Sequence, residues 1–157
     1  MPDPGDRHPT GTVRGIAYRR TDSEPMSVIE ECTVLAGRGL DVENRPPGKR
    51  EVTLLSLESW VETCRDLGAE LPWHARRANF LVEGIDLAVL IGRTITIGGA
   101  RVRLHGETRP CRIMDDARDG LRTALVPDFR GGVYGQVLTG GVVRVGDRVA
   151  READPIA

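Results

Sequence analysis

The chain has 157 residues, 39% of them hydrophobic, and a formal charge of −1. That length fits one domain with a sizeable core, and the near-neutral balance argues against nucleic-acid binding. No apolar run reaches membrane-spanning length or forms a leader, and three cysteines without framework spacing fit a reducing compartment, so a cytoplasmic location is the expectation.

Residues 1–10 are polar and Pro-rich and are expected to be disordered. Gly11 to Arg19 reads as a short strand, Thr21 to Pro25 as a turn, and Met26 to Ala36 as a second strand. In that strand Met26, Val28, Cys32, Val34 and Ala36 share one alternating phase, which makes Cys32 a core residue. Gly37 to Arg50 is a long loop rich in Gly, Pro and charge, and long ordered loops often carry function. Glu51 to Ser56 reads as a buried strand leading into a helix. Ser56 is its N-cap, Gly68 its stop, and Leu57, Trp60, Val61, Cys64 and Leu67 its apolar stripe.

Pro72 to Ala78 reads as a turn, Asn79 to Val82 as a strand, and Leu87 to Gly92 as an apolar piece. Thr94–Ile97 and Ala100–His105 flank Gly98-Gly99, the signature of a two-residue hairpin turn. Pairing across it sets Ile97 opposite Ala100 and Ile95 opposite Val102, with Thr96 and Thr94 opposite Arg101 and Arg103. A helical turn follows at Met114–Arg118 and a short helix at Leu121–Val126. Arg130-Gly131-Gly132 opens an expected last hairpin, Val133–Leu138 against Val142–Val145, and Gly146-Asp147 turns the chain once more. The domain spans residues 11–150, with residues 151–157 a loose tail. Many short strands and few helices point to an all-β barrel or sandwich with small helical insertions.

Cys111 is the cysteine whose surroundings look chemical. It stands between Pro110 and Arg112, with Arg109 close by and no apolar alternation around it. Guanidinium groups favour the thiolate, which is both nucleophile and metal ligand. His105, six residues earlier, falls on the polar phase of its strand and makes a weak partner. The sequence lacks the CxxC, HExxH, Walker and GxSxG patterns. Lys49 is the only lysine and lies in a polar loop, so no pyridoxal phosphate is expected in this chain.

Four ordered blocks carry a family resemblance: Glu51–Ser56, Arg76–Asp86, Thr108–Ile113, and Arg130–Gly135 with Gly146–Val149. In them the chain resembles a MOSC domain, the module named after the C-terminal part of molybdenum-cofactor sulfurases, of the single-domain bacterial type. The likeness covers roughly Gly11 to Val149. It implies a mainly β, MOSC-type barrel with a few short helices and association with molybdenum–pterin or sulfur chemistry. Cys111 would be the catalytic cysteine and metal ligand. Relatives of the module bind the molybdenum pterin and reduce N-hydroxylated compounds; the long sulfurases mobilise sulfur from cysteine on a separate domain. Where single-domain relatives carry a Gly-Asp-basic-His run, this chain has Gly39-Leu40-Asp41-Val42-Glu43-Asn44-Arg45, without the histidine.

A molybdenum pterin presents a phosphate and a polar ring edge. Arginine grips phosphate through paired, charge-assisted hydrogen bonds, which makes Arg76, Arg77, Arg109, Arg112 and Arg130 the candidates. Asn79 offers both a donor and an acceptor, and Gly131-Gly132 would let backbone approach a ligand. Cys111, at the barrel mouth, would supply a soft thiolate. Three readings follow. One is an oxidoreductase acting on a small-molecule substrate, with a separate electron-donor protein. The second is a sulfur or cofactor carrier with a Cys111 persulfide, fed by a cysteine desulfurase. The third is a barrel with a dead site.

Overall fold

The computed structural model describes residues 8–43 and 45–153. The expected loose ends, residues 1–10 and 151–157, lie mostly outside the described residues, as does Asn44. Thr10 and Arg151, at the inner edges of those ends, already belong to strands.

Eleven strands are described: β1 Thr10–Tyr18, β2 Ser27–Ile29, β3 Glu31–Leu35, β4 Gly39–Leu40, β5 Val52–Ser56, β6 Phe80–Glu83, β7 Thr94–Ile97, β8 Ala100–Glu107, β9 Val133–Thr139, β10 Gly141–Arg144 and β11 Arg148–Arg151. Helices α1 Leu57–Leu67, α2 Ile113–Ala117 and α3 Leu121–Ala124 are short, and 3-10 turns stand at Trp73–Arg76, Ala88–Leu90 and Pro127–Phe129. Seven strands close a barrel in the order β1-β6-β5-β9-β8-β7-β11, with β11 pairing back onto β1. Closure leaves no barrel edge to aggregate. The second sheet, β10-β3-β4, is small.

The β7–β8 hairpin has the register its side-chain pattern predicts, Ile97 opposite Ala100 and Thr94 opposite Arg103. Ile95, Ile97, Val102 and Leu104 are thereby buried in the barrel, with Val13, Ile16, Val52, Leu54, Phe80 and Val133. Strand β5 is buried on both faces, because Val52 and Leu54 fill the barrel while Leu55 joins an outer core. That outer core packs Leu55, Trp60, Leu81, Met114, Leu121 and Leu125 beneath the helices. Between β5 and β6, which pair in parallel, the crossover is α1. The side chain of Ser56 caps α1 by accepting from Ser59 N, and Gly68 ends it at φ 65. One member of the expected stripe is displaced: Val61 is exposed and Thr63 is buried in its place, its hydroxyl bonded to Ser59 O.

Two expected elements are corrected. The Met26–Ala36 strand breaks at Glu30 into β2, which extends β1, and β3, which belongs to the other sheet. Cys32 and Val34 are buried as expected, but Val28, on the far side of the break, and Ala36, past the end of β3, are exposed. The expected last hairpin does not form either. Only Gly140 separates β9 from β10, and β10 pairs with β3, setting Val143 opposite Cys32. A Cβ on Gly141 would run into Gly99 O, so this link lies pressed against the β7–β8 turn. The Gly37–Arg50 loop holds the two-residue β4 and is fastened by Glu51. The fully buried Glu51 carboxylate accepts from Gly37 N (3.2 Å), Gly48 N (2.9 Å) and Val137 N (3.1 Å).

Candidate functional site

The cleft around Cys111 lies over the outer face of the barrel wall rather than at the mouth. Its floor includes Thr53, which alternates with the inward-facing Val52 and Leu54 of β5. It encloses about 570 Å³ and draws most of its lining from four places. The end of β1 and the turn after it supply Arg19, Arg20 and Asp22. The long loop supplies Glu43, Arg45 and Arg50. The 3-10 turn before β6 supplies Arg76 and Arg77. The segment after β8 supplies Thr108, Arg109 and Cys111. Seven arginines face only two carboxylates here, so the cleft attracts anions.

Arg76 is the strut that shapes the cleft. Its side chain is buried and donates from Nε to Gly131 O (3.0 Å) and from Nη2 to Thr108 O (2.8 Å), while Nη1 approaches Met114 Sδ at 3.7 Å. The segment that carries Cys111 is thus tied to the one before β9. Burial pulls the Arg76 pKa down to about 10; the negative charge available on Cys111 opposes that fall, and Arg50 adds to it. Gly131 is needed for close approach within the chain itself, since a Cβ there would collide with Thr108 O. Gly132, at φ 96, stands equally close to Leu54 O.

Thr108 Oγ1 is buried and has no hydrogen-bond partner among the described residues, in a residue that lines the cleft. An unsatisfied buried hydroxyl costs about 1–3 kcal/mol, and a ligand in the cleft offers the missing partner. Cys111 is exposed and opens the turn into α2, with Met114 N donating to its carbonyl (3.0 Å). Cys32 is buried and Cys64 half-buried, so Cys111 is the exposed thiol of the three.

The structure brings together Cys111, Arg76, Arg77, Arg109 and Gly131 of the sequence candidates. The other four stand apart from the cleft lining. Asn79 is fully buried, its Oδ1 accepting from Thr53 N and Oγ1 and its Nδ2 donating to Ala17 O. Arg130 bonds to Asp66 (2.6 Å) and to Ala124 O, docking α1 on α3. Arg112 is exposed at the start of α2, and Gly132 is backed by Leu54. His105 pairs with Gln136 (3.2 Å), not with Cys111.

The family model described as "MOSC domain" matches residues 17–150. The chain belongs to the MOSC family. This MOSC domain is similar in structure to the YuaD protein from Bacillus subtilis, with a TM-score of 0.77 and 20% identity over 92% of this chain and 97% of that one. YiiM from Geobacillus stearothermophilus superposes with a TM-score of 0.68 and 16% identity, covering 91% of this chain and 73% of its own. For YiiM from Escherichia coli the values are 0.70 and 13%, with 92% and 71% covered. No functionally curated protein matches the chain. These likenesses establish the fold.

Sequence reasoning missed Arg19, Arg20, Glu43, Arg45 and Arg50 as cleft residues. The flagged signal was the long Gly37–Arg50 loop, which supplies three of them. The region that departs from the relatives' Gly-Asp-basic-His run is itself cleft wall. Glu43, almost fully buried, accepts from Arg19 N (3.0 Å) and Arg45 Nε (2.8 Å).

Proposed function

We propose that this MOSC domain binds a molybdenum-pterin cofactor in the arginine-lined cleft, with the Cys111 thiolate as metal ligand, for reduction of N-hydroxylated compounds. The observation that carries the reading is an exposed thiol beside a cleft with a strong excess of guanidinium groups and an unpartnered buried hydroxyl. The donor set fits such a group. Among the described residues no three His, Cys, Asp or Glu side chains gather to hold a metal. A molybdenum pterin would bring its own sulfur ligands, and Cys111 would hold the metal with a soft thiolate.

Bound there, the group would supply two-electron oxygen-atom chemistry at molybdenum. The chain would do the rest. Arg109 would grip its phosphate, and Arg76 would hold the Cys111 segment at a fixed distance from Gly131. Overall, the substrate R–NHOH takes up two electrons and two protons to give R–NH2 and water, the electrons coming from a separate donor protein. Reconstituted protein should reduce an N-hydroxylated amidine when given an artificial electron donor, and Cys111→Ala should not. Equal rates for the two would end the metal-ligand assignment.

The exposure of Cys111 also favours a second reading, a sulfur carrier. The Cys111 thiolate attacks the outer sulfur of a desulfurase persulfide, forming Cys111–S–SH and releasing the desulfurase thiolate. Mass spectrometry after incubation with a cysteine desulfurase and free cysteine should then show one added sulfur, absent in Cys111→Ala.

A further inference from the structure

One wall of the cleft does not involve Cys111. Arg19 follows β1, and Arg77 caps the 3-10 turn before β6; both guanidinium groups converge on Asp22. Arg19 Nη1 donates to the Asp22 carbonyl at 3.1 Å and Arg77 Nη2 to the same oxygen at 2.7 Å. The Asp22 carboxylate stands 3.6 Å from Arg19 Nη2 while otherwise fully exposed. Two oxygens of one surface residue thus occupy the place of an anion's oxygens between two arginine forks.

The surroundings make this a costly place to gather charge. Arg19 is partly buried; its pKa is lowered first by burial, then by Arg77, and further by Arg45, with Asp22 and Glu43 opposing. Arg77 holds φ 70, a left-handed conformation that costs a non-glycine residue energy. Glu43 fixes the wall from behind, binding Arg19 N and Arg45 Nε. Clustered like charges on a strained backbone need an anion to offset them, and Asp22 offers only one exposed carboxylate.

We propose that Arg19 and Arg77 form an anion subsite, kept in place by the oxygens of Asp22, that takes a terminal phosphate or carboxylate of the substrate. The anion displaces Asp22 and bridges the two guanidinium groups. This reading rests on the proposed function and deepens it by naming an acidic substrate class; the existence of the subsite is tested without the cofactor, and its assignment to the substrate with it.

Inorganic phosphate is titrated into cofactor-free protein while the arginine side-chain NMR resonances are followed. Those of Arg19 and Arg77 should shift together and saturate. Arg77→Gln should weaken binding about tenfold or more, the loss of one charged hydrogen bond. Asp22→Asn should tighten it several-fold by removing a competing negative charge, whereas Asp119→Asn, an equal charge change at an exposed site outside the cleft lining, should not. The Asp22 variant decides the matter even if Arg77→Gln folds poorly. Cys111→Ser should bind phosphate as the wild type does, which separates this inference from the metal reading. Persistence of phosphate binding in cofactor-loaded protein assigns the subsite to the substrate. Its loss on loading would hand the subsite to the cofactor's own phosphate and overturn the assignment. Absence of a saturable shift, or Asp22→Asn binding no tighter than Asp119→Asn, would overturn the subsite itself.

Discussion

Replacing Glu51 with glutamine tests how the long cleft loop is held. The carboxylate is fully buried and accepts three backbone N–H groups, two of them on Oε1. A glutamine can place its carbonyl at Oε1 and keep the bonds from Gly37 and Val137. Its amide then faces Gly48 N, donor against donor; exposed Gly48 can turn to water, but the buried amide is left unsatisfied, at about 1–3 kcal/mol. The two surviving bonds lose charge assistance, at about 1 kcal/mol each. Glu51→Gln should therefore lose roughly 3–5 kcal/mol, and Glu51→Leu more, since it strands all three donors. The assay is equilibrium unfolding in urea, with the slope unchanged so that the midpoint reports stability. Because Glu43, Arg45 and Arg50 stand on the same loop, phosphate affinity should fall alongside stability. A glutamine variant within about 1 kcal/mol of wild type would refute the view that Glu51 anchors the loop through three ionic acceptor bonds.

Cys32 should be the last thiol to alkylate and Cys111 the first. Burial, reinforced by Asp41, Glu31 and Glu43, pushes the Cys32 pKa up to about 12 from 9.0. Between those values the unfolded chain has released a proton that the folded chain retains, so stability falls as pH rises through that window. Cys32→Val should flatten that slope, read from urea midpoints against pH. Arg130→Ala should cost roughly 1–2 kcal/mol by undocking α1 from α3 yet leave phosphate binding intact, while Arg109→Ala should leave stability unchanged and lower pterin loading. Gly131→Ala should push Thr108 O away and break the Arg76 strut, visible as shifted amide resonances over 108–114.

The barrel was legible because its signals are local. The two-residue Gly98-Gly99 turn and the alternation around it dictate one register, and Ser56 and Gly68 bracket α1 by capping chemistry. The fate of β10 was not legible: a Gly140-Gly141 pair between apolar runs reads as a hairpin, whereas β10 pairs with β3 and the link packs on Gly99, both contacts distant in sequence. The same division runs through the site. Cys111, Arg77 and Arg109 declared themselves through composition around a turn. Asn79 carried the same polar signal and is consumed by Thr53 and Ala17 O, a choice made by a partner 26 residues away in sequence and another 62 away. Glu43 ties Arg45 Nε and the backbone N of Arg19 into one cleft wall, and no local pattern announces that contact.

Whether the cleft holds a molybdenum pterin through Cys111 is open to direct measurement. Protein produced in a host that makes the cofactor can be measured for molybdenum and pterin per chain, side by side with Cys111→Ala. Near-stoichiometric molybdenum is expected in the wild type and little or none in the variant. Wild-type protein free of molybdenum, or equal loading in both, would contradict it.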